Sequence, residues 1–337
     1  MTRIASTRRA LALAACAVLG AFEAQAQAQA QKQDTTIATA IPGVVAAGTK
    51  VELIKDGFDG TEGPVALPDG TLAFTETTAA RITRIAADGG TSTYLDNTNG
   101  ANGLGFDAAG NLYAVQVRAP RVGIIAPAGK ARTLAETWDG LPFARPNDLV
   151  VSRGGNVYFT DSGNGTAQPS GQAAPAQPTA HPTAPPAVYR ISPQGTLERV
   201  AADIARPNGI QLSPDEKTLY VADTLGEHVL AYDLGADGKV GPRHDFATLA
   251  GWTKGETGWS SGADGLAVDA AGHVYVASNV GIEVFDAAGK ALGVIPLPKK
   301  PQNLAFAGPG KNTLYVVGRG AAYKIATLTP GFAGRAK

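Results

Sequence analysis

One sentence of sequence, written six times, constrains this chain more than any other feature. It reads Glu62-Gly-Pro-Val-Ala-Leu-Pro-Asp-Gly70, then Asn102-Gly-Leu-Gly-Phe-Asp-Ala-Ala-Gly110 and Asn147-Asp-Leu-Val-Val-Ser-Arg-Gly-Gly155. It returns as Asn208-Gly-Ile-Gln-Leu-Ser-Pro-Asp-Glu216, Asp264-Gly-Leu-Ala-Val-Asp-Ala-Ala-Gly272 and Gln302-Asn-Leu-Ala-Phe-Ala-Gly-Pro-Gly310. After each copy comes a β-branched or aromatic run, such as Leu112 to Val117 or Leu219 to Ala222. A short apolar strand, a turn and a second such strand make a hairpin. Two further short strands follow in most copies, for instance Arg121 to Ala126 and Ala131 to Leu134. No stretch carries a sustained helical apolar period. Four strands at a period of roughly 40 to 60 residues describe a propeller blade. The expectation is an all-β, six-bladed β-propeller over 46–330, with 331–337 as a C-terminal tail.

The widest interval between copies contains 163–186, rich in Pro, Ala, Gln and Thr. That composition does not pack a core, so it reads as a surface loop inserted in the third blade. The segment 27–45, which opens with a Gln/Ala tract, reads as a flexible linker.

In a propeller the innermost strands line a central channel, and equivalent positions form a ring. The leading residues of the six copies are Glu62, Asn102, Asn147, Asn208, Asp264 and Gln302, each eight positions before its turn residue. All six carry a side-chain oxygen. Asn-Gly and Asp-Gly also serve turns, since both residues tolerate left-handed backbone angles, and that explains Asn102 or Asn208 taken singly. A turn does not call for Glu62 or Gln302. Oxygen donors with two carboxylates suit one hard divalent cation, Ca²⁺ foremost, with Zn²⁺, Mn²⁺ or Mg²⁺ as alternatives.

The N-terminus reads as an export signal. Arg3, Arg8 and Arg9 precede a small-residue apolar run from Ala10 to Phe22, and Ala24-Gln25-Ala26 offers a cleavage site. That run is too short to span a bilayer. A periplasmic or secreted protein is expected, with a lipoprotein box at Cys16 as the second choice. Cys16 is the only cysteine, so thiolate chemistry and disulfides would be absent after cleavage. The full chain balances 29 basic against 29 acidic residues, which gives no field for nucleic acid. A small-molecule partner and a monomer are expected.

Competing motifs lack their context. Gly258-Trp-Ser260-Ser-Gly262 fits a nucleophile elbow, but a β-hairpin follows it instead of a helix. The one downstream histidine, His273, occupies a turn position matched by Asn111 and Asn156.

With Glu62-Gly-Pro, Arg145-Pro-Asn-Asp148, Asp264-Gly-Leu-Ala-Val-Asp269 and the long run from Arg206 to Asp223, the chain resembles the gluconolactonase and regucalcin (senescence marker protein) family. The diisopropyl-fluorophosphatase and paraoxonase propellers are its relatives. The resemblance runs from about residue 50 to 326 and implies a metal site of Glu62, Asn147, Asn208 and Asp264. It also implies substrate contacts from Arg145 and Asn102, and metal-dependent opening of a sugar lactone. Asp264 is expected to act as general base or as nucleophile. Two segments depart from the family pattern, Ala114 to Ala119 and Phe159 to Gly165, and both belong to the pocket side there. A phosphotriesterase or arylesterase on the same ligands, and an exported propeller that only binds, are the alternatives.

Overall fold

The computed structural model describes residues 36–164, 182–256, 258–335 and 337. The expected leader over 1–26, the tract 27–35 and most of the blade-three insertion (165–181) lie outside the described residues.

Six antiparallel sheets correspond to the six copies of the repeat. Their innermost strands are Thr61–Ala66, Ala101–Phe106, Pro146–Val151, Pro207–Leu212, Leu266–Val268 and Asn303–Ala307. The residue eight positions after each leading residue bends back through a left-handed turn. Gly70, Gly110, Gly155, Gly272 and Gly310 do so with φ between 65° and 84°, and Glu216, the one without glycine's freedom, with φ 60°. Blades one to five each run outward strand by strand. Blade six takes Asn303–Ala307, Thr313–Gly318 and Ala321–Ala326 from late in the chain, and Lys50–Asp56 from early in it. Pairing Glu52 with Lys324 and Leu53 with Tyr323 closes the ring, and the early strand covers the outer edge of Ala321–Ala326.

Between blades the core is aliphatic and aromatic. Phe143, Phe159 and Tyr189 meet at centroid distances of 5.2–5.3 Å and are almost wholly buried. Each such side chain contributes about 1.5–3 kcal/mol by leaving water.

The structure corrects two sequence expectations. Residues 36–45, read as flexible linker, are packed: Thr36–Ile37 pairs with Lys50–Asp56, and Ile41, Val44 and Val45 join the core between blades five and six. Those three apolar side chains give the segment the burial that the Gln/Ala tract before it lacks. Residues 331–335 and 337, read as a tail, lie across the lower face. Phe332 N–H donates to the Val268 carbonyl, and Arg335 and Lys337 are buried.

Candidate active site

The leading residues lie at the N-terminal ends of the inner strands, which defines the upper end of the channel. In blades one to four the pairing of first and second strands slips by one residue just there, between Glu62 and Val65, Ala101 and Leu104, Pro146 and Leu149, and Pro207 and Ile210. A bulge bends the strand and re-aims its side chains. The lead-in to blades three and four is pinned in the same way. Asp161 accepts from the Ala144 and Arg145 amides at 2.8 Å, and Asp223 accepts from the Arg206 amide at 3.0 Å.

Glycine follows the leading residue in four copies because the inner strands nearly touch. A Cβ at Gly63 would fall on the Asn102 carbonyl, and one at Gly209 on the Asp264 carbonyl. Two copies break that rule, with Asp148 in blade three and Asn303 in blade six. These opposite blades send their side chains into the space the glycines leave, where Asn303 Nδ2 lies 3.5 Å from Asp148 Oδ2 and 3.3 Å from Glu62 Oε2. Sequence reasoning missed both residues. The signal was present, as the only two non-glycines at that position of the repeat.

Above this layer, Glu62, Asn147, Asn208 and Asp264 are all buried. Asn208 donates through Nδ2 to Thr224 Oγ1 at 3.0 Å, and Thr224 is itself held by the Ala263 carbonyl at 2.8 Å. Its oxygen is thereby left free. Asn147 Oδ1, Asn208 Oδ1 and Asp264 Oδ1 are buried without a hydrogen-bond partner. A buried polar atom without a partner costs about 1–3 kcal/mol. Three of them on three of the expected ligands fit a cation that takes oxygen donors. Among the described residues no three of His, Cys, Asp and Glu cluster for a metal; the expected ligands offer two carboxylates and two amides, hard donors throughout.

Burial raises Glu62 well above the ordinary carboxylate range, with help from the charges of Asp264 and Asp148. Asp264 is pushed up to about 7, also by burial, against the pull of Lys300 and Arg319. Both carboxyls therefore hold a proton more readily than an exposed carboxyl does, unless a cation takes its place.

The remaining expected residues divide. Arg145 is exposed at the rim, and its charge favours the ionised form of both Glu62 and Asp264. Asn102 has both polar atoms engaged: Nδ2 donates to the Asn147 carbonyl at 2.8 Å and Oδ1 accepts from Thr77 at 3.0 Å. Gln302 sits between blades six and one, donating to Glu62 Oε1 at 3.3 Å and accepting from the Arg319 amide at 2.7 Å. The Ser260 hydroxyl donates to the Thr224 carbonyl, and His273 is paired with Asp269 at 2.7 Å, so no nucleophile elbow forms.

The SMP-30/Gluconolactonase/LRE-like region matches residues 60–319, all but the outermost parts of the propeller. The chain belongs to that family. The gluconolactonase of Zymomonas mobilis is 26% identical over 317 residues, covering 88% of this chain and 86% of that one. Pentonolactonase XacC of Haloferax volcanii is 29% identical over 265 residues, covering 77% and 81%. A solved gluconolactonase from Xanthomonas campestris superposes with a TM-score of 0.73 at 29% identity, covering 88% of this chain and 95% of the other.

Proposed function

We propose that the chain is a hydrolase that opens sugar lactones, with one divalent cation, Ca²⁺ foremost, held by Glu62, Asn147, Asn208 and Asp264. The observation that carries the cation is the set of three buried oxygens without partners on those residues. Membership of the family, and relatives named gluconolactonase and pentonolactonase, support the lactone. The Arg- and Ala-rich leader extends the reading to an exported enzyme.

When bound, a divalent cation supplies Lewis-acid polarisation of the lactone carbonyl. The chain's own residues do the rest. Asp264 takes a proton from the attacking water as the oxygen–carbon bond forms. As the ring C–O bond breaks, that proton passes to the departing hydroxyl oxygen. General-base help of this kind contributes typically about 10²- to 10⁴-fold. Direct attack by the Asp264 carboxylate, followed by hydrolysis of the acyl-enzyme, is the alternative course. Arg145, exposed at the rim, orients the sugar hydroxyls. Asn102 acts as a positioning residue, holding the backbone of Asn147 through the 2.8 Å bond to its carbonyl.

A pH-stat assay of aldonolactone opening tests the reading. Turnover should vanish with chelator and return with a divalent ion. No ring opening with any divalent ion restored would refute it.

A further inference from the structure

Four cationic side chains act through their charge on the two buried carboxylates. Arg145 and Arg206 hold the same position in consecutive blades, each just before the Pro-Asn that opens an inner strand and each pinned through its amide by an aspartate at the end of the second strand. Lys300 and Arg319 face them from blade six. Lys300 lies on the lead-in to that blade, with Nζ 2.5 Å from Asn279 Oδ1, in space that Gly262 leaves by having no side chain. Arg319 sits in the turn between the second and third strands at φ 52°, its amide held by Gln302.

These groups are crowded by their own kind. Arg145 disfavours the charged form of Arg206, and Arg319 that of Lys300. Burial opposes the charge of Arg206, Lys300 and Arg319, while Asp264 supports it in all three. Among the described residues Lys300 and Arg319 form no ion pair, whereas neighbouring Lys299 is paired with Asp56 at 2.5 Å. Asp161 and Asp223 offset Arg145 and Arg206, which leaves Lys300 and Arg319 to balance Glu62 and Asp264. A divalent ion on Glu62 and Asp264 would cancel their negative charge and leave the mouth positive through Lys300 and Arg319. Low-dielectric walls around a cleft of one sign focus its field on an incoming ligand.

We propose that the substrate is an acidic sugar lactone, one bearing a carboxylate, sulfonate or phosphate away from the lactone carbonyl, and that Lys300 and Arg319 bind that group. This rests on the lactone-hydrolase reading and narrows its substrate class.

The test compares kcat/KM for glucono-δ-lactone, glucarolactone and the phosphorylated gluconolactone on the Ca²⁺-loaded full chain, at low and high salt. At low salt at least one acidic lactone is preferred, by about tenfold or more, and salt erodes that preference. K300Q and R319Q each reduce the acidic-to-neutral ratio through KM, and K300R restores it; thermal melts confirm that the variants fold. The phosphate and carboxylate arms identify which anion is taken. Equal turnover of neutral and acidic lactones, or a preference that neither variant moves, overturns the proposal. Should no lactone open at all, the hydrolase reading falls, and calorimetric binding of glucarate against gluconate still decides the charge preference. Tighter glucarate binding that weakens in K300Q upholds it, and equal binding removes it.

Discussion

The two ends of the channel use the same repeat to opposite purposes. At the upper end lie four buried oxygen-bearing side chains, three of them with an oxygen that has no partner. At the lower end the buried charges are engaged. Lys337 reaches up to Asp148 as an ion pair buried on both sides, Arg335 donates to the Leu212 and Ser213 carbonyls, and Arg335 also pairs with Glu216 at 3.1 Å. The lower end carries its own cation, and on the proposed reading the upper end takes one from solution. The contrast separates a polar core that holds the fold together from one that is unstable until a ligand completes it.

Asp264→Asn presses hardest on the upper end. The fold should persist while turnover falls by about 10²- to 10⁴-fold from the missing base alone, and further through the ion the variant no longer holds, read in the same pH-stat assay; near-native turnover would remove Asp264 from the chemistry. The mirror experiment at the lower end is Lys337→Met. Losing one partner of a buried pair costs about 3–5 kcal/mol, visible in urea denaturation, whereas kcat/KM should fall far less than in Asp264→Asn. Equal damage to activity from both variants would erase the distinction between the ends.

A smaller effect is expected from Asn102→Ala, which strips a partner from the Asn147 carbonyl. Its expected cost is about 1–3 kcal/mol, with Ca²⁺ affinity lowered as well, measured by calorimetry. The pH dependence is the gentlest probe. Asp264 stands near 7 in the fold, raised by burial, against an ordinary value of about 4 in an unfolded chain. Between those values the folded chain holds more protons, so the stability of chelated protein falls as pH rises through that window. Ca²⁺ binds the ionised form and should flatten the slope. Thermal melts across that range, with and without chelator, check the sign.

The fold was largely legible because a propeller writes its symmetry into the chain. The turn at a fixed distance from each leading residue gave six inner strands and a ring of six leading residues, and the family resemblance alone singled out Glu62, Asn147, Asn208 and Asp264 among them. Closure by Lys50–Asp56 was hidden, since that strand lacks the repeat and its partners Lys324 and Tyr323 are remote in sequence. The pairing of Lys337 with Asp148 was hidden for the same reason: a charge at the end of the sequence says nothing of what it meets across the lower face. Asp148 and Asn303 were readable but overlooked, because attention fell on the leading residue and not on the glycine after it. Asn102 carries a further bond that only coordinates reveal, since both ends of its amide also hold neighbouring strands.

Everything said of the upper end depends on Glu62, Asn147, Asn208 and Asp264 sharing one ion. Native mass spectrometry of the desalted full chain, titrated with Ca²⁺, measures this directly. The account predicts a single tightly held ion per chain that is lost in both Glu62→Gln and Asp264→Asn. A chain that takes up no ion, or that keeps it in both variants, would contradict it.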